Sequence, residues 1–155
     1  MKYVWYYESP IGRLGIAETD GAIAYLLFDE VRQVSNHVPK ETALIKETAK
    51  QVWEYFDGKR KNFDLPLNPQ GTVFQKAVWS ALQEIPFGET CSYKQIAEQI
   101  GNPKAVRAVG MANNRNPIAV IIPCHRVIGM DGGLTGYAGG LAVKQYLLNL
   151  EKNNV

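Results

Sequence analysis

Ser92-Tyr-Lys-Gln-Ile-Ala-Glu-Gln-Ile-Gly101-Asn-Pro-Lys-Ala-Val-Arg-Ala-Val-Gly-Met-Ala112 is the stretch on which the fold turns. Ser92 and Gln95 have the spacing of a capping box, in which a hydroxyl and an amide satisfy two orphan N–H groups at a helix start. A helix therefore begins there, with Ile96, Ala97 and Ile100 as its apolar side, and Gly101-Asn102 ends it. Pro103 suits the first turn of a following helix through Ala105, Val106, Ala108, Val109 and Ala112. Two short helices joined by a glycine turn make a helix-turn-helix candidate. Lys104, Arg107 and Arg115 are the obvious polyanion contacts of its second helix, while Ala105 and Ala108 offer nothing that hydrogen-bonds a base edge. Such a helix can approach a DNA duplex closely without discriminating among sequences.

A second capping box, Thr72 with Gln75, opens a helix carrying Phe74, Ala77, Val78, Ala81 and Leu82. Before it, residues 63–71 contain two prolines and no helical period, which predicts an extended linker and a boundary near residue 70. Residues 2–8, 14–19 and 22–28 are rich in β-forming side chains and are separated by turn residues, so they read as a three-stranded antiparallel meander. Lys40 to Phe56 reads as a helix with Ala43, Leu44, Ala49, Val52, Trp53 and Phe56 inward. After the helix-turn-helix, Pro117 stops the chain and Ile118 to Ile122 forms a short strand or buried stretch. Six glycines lie between 129 and 140, too many for a regular element, so a mobile or tightly approached loop is expected there. A last helix, Leu141 to Glu151, is expected to pack through Leu141, Tyr146, Leu147, Leu148 and Leu150. The fold class is mixed α/β (α+β), with a sheet-rich domain over 1–70 and a mainly helical domain over 71–155.

Composition narrows the function. The chain has 155 residues, of which 46% are hydrophobic and 21% charged, as a globular domain or two small lobes require. No apolar run is long enough to span a membrane, and the start lacks the features of a signal peptide, so the expected compartment is the cytoplasm. With two cysteines and two histidines, a zinc finger or disulfide scaffold is not expected. The net charge of +2 conceals segregation: residues 90–130 hold Lys94, Lys104, Arg107, Arg115 and Arg126 against the single acid Glu98. A polyanionic partner for the second half is the corresponding expectation.

Cys124 and His125 follow a proline, between the buried stretch and the glycine-rich loop. A thiolate is the reactive form of cysteine, and an imidazole acting directly or through water can generate it. The histidine needs an orienting acceptor, for which the downstream acids are Asp131 and Glu151. Taken alone, the pair reads first as a small buried hydrophobe beside a surface histidine.

The order of the pieces says more. Pro123-Cys124-His125-Arg126-Val127, preceded by Asn116-Pro117 and followed by Tyr137-Ala138-Gly139-Gly140-Leu141-Ala142-Val143-Lys144, resembles the O6-alkylguanine-DNA alkyltransferase family. The resemblance runs without a gap from about Phe74 to Glu151 and includes Phe87-Gly88-Glu89 and Ser92-Tyr93. The first seventy residues match more loosely, in strand order and in Ser9-Pro10-Ile11-Gly12, which is similar to the family's ribonuclease-H-like amino-terminal domain.

This resemblance implies direct-reversal DNA repair: base flipping, then stoichiometric and irreversible transfer of an alkyl group from O6 of guanine to Cys124. It implies His125, hydrogen-bonded to Glu151, as the base, and Tyr93 as the donor to N3 of the departing guanine. Tyr137, the Ala138 amide and the Val127 and Cys124 carbonyls would line the pocket, with Asn116 as the hinge to the helix-turn-helix. Arg107 would fill the vacated base stack while Ala105 and Ala108, flanked by Lys104 and Arg115, meet the minor groove. No cofactor is implied, and the amino-terminal zinc of some relatives is not expected, because no cysteine precedes Cys91. The partner implied is double-stranded DNA carrying O6-alkylguanine, bound by a monomer; acceptance of O4-alkylthymine and the preferred alkyl size stay open. Cys91 matches no catalytic position and reads as a packing residue.

Three other classes remain on the residues alone. A damage reader without transfer would usually carry tryptophan in place of Cys124. A transcription regulator would need a recognition helix richer in base-reading side chains. A thiol hydrolase would use the same Cys124 and His125.

Overall fold

The computed structural model describes residues 1–28 and 34–155. The chain forms two compact units, one of Met1–Gln70 with Pro117–Ile121 and the other of Gly71–Asn116 with Ile122–Val155. Among the described residues no helix is long and apolar enough to cross a membrane.

In the first unit β1 (Lys2–Ser9), β2 (Gly12–Thr19) and β3 (Ala22–Phe28) form the antiparallel meander. A two-residue strand, β4 (Val38–Pro39), adds to β1 in parallel, so the sheet runs β3-β2-β1-β4. Two residues carry no periodicity, and their partner lies far back along the chain, which is why sequence patterning passes over them. In the central strand β2, Leu14 to Ala17 are buried without alternation, with small residues at 15 and 17. Gly15 lies opposite Tyr6, and a Cβ there would stand 2.9 Å from the Tyr6 ring. The ring needs that space to cover the strand. The outer edge of β3 is blunted by two bridging segments: Ile23 pairs with the chain around Leu67, and Leu26 with the chain around Ile118.

Thr42 caps α1 (Ala43–Phe56) by accepting from the Ile45 amide, so the helix starts three residues later than Lys40. Its buried side chains are Ile45, Thr48, Ala49, Gln51, Val52, Tyr55 and Phe56; Ala43, expected inward, is exposed at the first turn. Residues 118–122 are a buried run of turns and not a strand. Within it the Ile121 amide donates to the Ala119 carbonyl around Val120, whose φ of 69° is unusual for a β-branched residue.

The second unit contains α2 (Val73–Leu82), β5 (Cys91–Ser92), α3 (Tyr93–Gln99), α4 (Val106–Asn114), a 3-10 turn over Cys124–Arg126, β6 (Val127–Ile128) and α5 (Leu141–Asn153). Both capping boxes are closed in each direction, Thr72 with Gln75 and Ser92 with Gln95. Trp79, Leu82, Ile96, Val109, Ile122 and Leu147 are among its buried core side chains, and the Trp79 indole donates to the Ala112 carbonyl at 2.9 Å. Pro103 falls in a turn, and α4 begins only at Val106, because Asn102 already accepts from the Ala105 amide.

Helix α5 departs most from its apolar pattern. Its buried residues are Lys144, Leu147 and Glu151, spaced three and four apart on one face, whereas Leu141 and Tyr146 are exposed. The helix thus turns a cation and an anion inward, and both find partners there.

Candidate active site

The acceptor segment is held by short-range backbone bonds. The Cys124 amide donates to the Ile122 carbonyl at 2.8 Å, closing a three-residue turn around Pro123 with φ −81° and ψ 64°. Proline supplies that φ without cost. The 3-10 turn follows, and β6 then pairs in parallel with β5, setting Val127 opposite Cys91 and Ser92 opposite Ile128. Cys91 is therefore part of the platform under the acceptor segment, half-buried, and both cysteines are free thiols. Burial, followed by the nearby Glu89 charge, raises the Cys91 thiol pKa.

The end of α4 is tied to this segment. Asn116 donates to the Ile122 carbonyl at 2.7 Å, and Asn113 donates to the Cys124 carbonyl at 3.4 Å. A buried side-chain amide that satisfies a carbonyl so close to the acceptor fixes where the helix ends relative to Cys124.

Cys124 and His125 are both buried. Burial pushes the Cys124 thiol up to about 11, while the Asn116 side chain and the Lys144 charge pull the other way. Of the two acids downstream, Glu151 is the one that faces the histidine, with Nε2 of His125 2.6 Å from Glu151 Oε2. Asp131 instead accepts from the Gly133 amide inside its own loop. Burial lowers the His125 pKa, against the opposing pull of the Glu151 carboxylate, so the resting imidazole is neutral near pH 7.

Arg126, which the sequence places in the basic stretch, does not face solvent. It is 6% exposed, donates from Nε to Glu151 Oε1 at 2.8 Å and from Nη2 to Oε2 at 3.0 Å, and gives Nη1 to the Ile85 carbonyl at 2.6 Å. Burial alone would raise the Glu151 pKa, but the hydrogen bonds and charges of His125 and Arg126 outweigh it and hold the carboxyl at about 2. Glu151 is thus a fixed anion at any physiological pH. It also accepts from the Gly88 amide at 3.1 Å.

Sequence reasoning assigned no role to Arg126 or Lys144. Lys144 is fully buried and donates from Nζ to the Val127 carbonyl at 2.6 Å and to the Thr135 carbonyl at 2.8 Å. It bridges the acceptor segment and the glycine-rich loop. The one sequence signal for it is spacing, since 144, 147 and 151 share a helix face.

The loop itself is ordered by internal bonds, Gly129 to Gly133, Gly132 to Gly129 and Gly140 to Tyr137. Tyr137 is half-buried and Ala138 exposed. Tyr93, the first residue of α3, stands half-buried with its ring near Gly110, where a Cβ would be 3.8 Å away. Lys104, Arg107, Ala108 and Arg115 are exposed, whereas Val109, Ala112 and Asn113 are buried; Ala105, half-buried, ends the turn before α4. The helix-turn-helix therefore presents a cationic, small-residue face to solvent, distinct from the buried cluster of Cys124, His125, Arg126, Lys144 and Glu151. Among the described residues there is no group of three or more His, Cys, Asp or Glu side chains placed to hold a metal ion.

Comparison with known proteins shows the family. Residues 2–69 match the ribonuclease-like domain of 6-O-methylguanine DNA methyltransferase, and residues 73–153 match its DNA-binding domain. A methylated-DNA–protein-cysteine methyltransferase of Methanosarcina barkeri is 53% identical over 151 residues, covering 96% of each chain. The constitutive enzyme of that name from Bacillus subtilis is 48% identical over 159 residues, covering 98% of this chain and 96% of its own. The crystal structure of Mycobacterium tuberculosis OGT in complex with DNA superposes with a TM-score of 0.93 at 45% identity, covering 99% of this chain and 94% of that one. With both units matched along nearly their whole length, the chain belongs to the 6-O-methylguanine DNA methyltransferase family.

Proposed function

We propose that the protein repairs DNA by moving the alkyl group of O6-alkylguanine onto its own Cys124, once per molecule. The observation that carries this reading is the buried His125–Glu151 pair directly beside the buried Cys124 in sequence, with Arg126 fixing the carboxylate. With Nε2–H donating to Glu151, the lone pair of the neutral imidazole is on Nδ1, which takes the thiol proton directly or through a water. The Glu151 carboxylate then stabilises the imidazolium that forms.

With the thiol pushed up to about 11, thiol outnumbers thiolate by roughly four orders of magnitude at pH 7. Proton removal therefore belongs to the reaction and not to the resting state. The sulfur attacks the alkyl carbon, the C–S bond forms as the C–O6 bond breaks, and the electron pair stays with the guanine. Tyr93 donates toward N3, where part of that charge collects. A thioether has no leaving group that water can displace, so Cys124 is consumed.

Access to a buried thiol requires the target base to leave the duplex, which costs a few kcal/mol of unstacking. Arg107 fills the gap, while Ala105 and Ala108 permit close approach to the minor groove and Lys104 and Arg115 contact phosphates. Asn116 links this helix to the acceptor segment, and Tyr137, the Ala138 amide and the Val127 carbonyl receive the flipped base. One copy supplies Cys124, His125 and Glu151, so transfer needs no second subunit and a monomer suffices, and two free thiols suit the reducing cytoplasm. Titrating the protein against excess duplex containing O6-methylguanine tests the stoichiometry: repair should stop at one lesion per protein, and continued turnover would refute the reading.

A further inference from the structure

Thr135 lies in the glycine-rich loop, outside every role assigned above, yet its hydroxyl is 2.7 Å from the phenol oxygen of Tyr93 and is the donor in that pair. It is an exposed residue, but its backbone is held on the carbonyl side. The buried Lys144 ammonium grips the Thr135 carbonyl at 2.8 Å, and the next residue, Gly136, sits so close to Asn114 that a Cβ would be 3.1 Å from its side-chain amide nitrogen. Threonine is restricted about χ1, so holding the backbone narrows where the hydroxyl can stand.

A phenol carries one hydrogen and can accept as well as donate. When its oxygen accepts from Thr135, its own hydrogen is left to point elsewhere, and the bond it makes there is strengthened by the one it receives. The same donor stabilises negative charge on the phenol oxygen as Tyr93 gives its hydrogen to N3 of the departing guanine. The geometry points to Thr135 as a positioning residue for the alkyl transfer, one that aims the Tyr93 hydrogen at the leaving base while Lys144 anchors it. This role rests on the proposed alkyl transfer to Cys124.

The test is single-turnover transfer by the full chain, with duplex O6-methylguanine and with free O6-benzylguanine as substrates. Thr135→Val keeps the shape and removes the donor; it should slow transfer from both substrates about tenfold, as loss of one hydrogen bond at the transition state does, with DNA affinity unchanged. Thr135→Ser restores the donor and should restore the rate. In a Tyr93→Phe background, Thr135→Val should cause no further loss, since its effect passes through the phenol. A wild-type rate for Thr135→Val, a loss confined to duplex substrate, or an equal loss in the Tyr93→Phe background overturns the positioning role while leaving transfer to Cys124 intact. If the wild-type protein itself transfers nothing, the proposed function fails and the positioning role fails with it.

Discussion

Glu151 and Arg126 form a buried two-point ion pair, with guanidinium nitrogens 2.8 and 3.0 Å from the two carboxylate oxygens, and His125 shares one of those oxygens at 2.6 Å. The pair converts a glutamate that burial would neutralise into a permanent anion behind the histidine. Structure and chemistry make separate demands on it, and substitutions can separate them. Arg126→Met strands the carboxylate and the Ile85 carbonyl, and should lower the unfolding free energy by about 3–5 kcal/mol in chemical denaturation. Glu151→Gln strands Arg126 to a similar extent but also removes the charge that supports the imidazolium. Its transfer rate should therefore fall about a hundredfold or more, further than that of Arg126→Met.

Acid should destabilise the fold in two stages. His125 has a lowered folded pKa, so the unfolded state binds a proton first, and stability declines as pH falls below the ordinary value of 6.5. Glu151 contributes stability that is fully present above its ordinary value of 4.5 and is lost as pH falls toward about 2. Urea unfolding at a series of pH values should show both declines. Glu151→Gln should lack the lower one, and an unchanged profile in that variant would contradict the assignment.

The exposed face of α4 predicts a different signature. Arg107→Ala should slow repair of duplex lesions while sparing free O6-benzylguanine, because only the duplex requires a vacated stack to be filled. Equal slowing of both substrates would remove base extrusion from its role. Lys104→Ala and Arg115→Ala should weaken binding to undamaged and damaged duplexes alike, and each should reduce the slope of log affinity against log salt by about one.

Much of this was legible in the residues because the signals were local. Two capping boxes, three strands with turn residues between them, and Pro-Cys-His-Arg-Val each lie within a few consecutive positions. The features that escaped depend on distant partners. The pairing of β4 with β1 spans about 35 residues and involves two residues, so no pattern marks it. Arg126 read as one charge of a basic stretch and Lys144 had no role, because burying an ion is costly unless it is paired, and the pairing exists only in the folded chain. Lys144 and Glu151 displaced Leu141 and Tyr146 from the inner face of α5, where hydrophobicity alone had put them. Pro103 suits a first helical turn in sequence terms, but the turn bonded between Asn102 and Ala105 delays α4 to Val106.

Cys124→Ala should abolish transfer and leave affinity for O6-methylguanine duplex within a few-fold of wild type, since the proposed phosphate contacts, Lys104 and Arg115, flank α4 and do not involve the thiol. A binding titration at fixed salt, run beside the transfer assay, checks both halves. Retained transfer in this variant would move the acceptor elsewhere, with Cys91 the next thiol to examine.

The most direct measurement is peptide mass spectrometry after reaction with duplex O6-methylguanine. The peptide containing Cys124 should gain the mass of one methylene in step with lesion loss, while the peptide containing Cys91 stays unmodified. Complete repair with an unmodified Cys124, or a methyl group on another residue, would contradict the account.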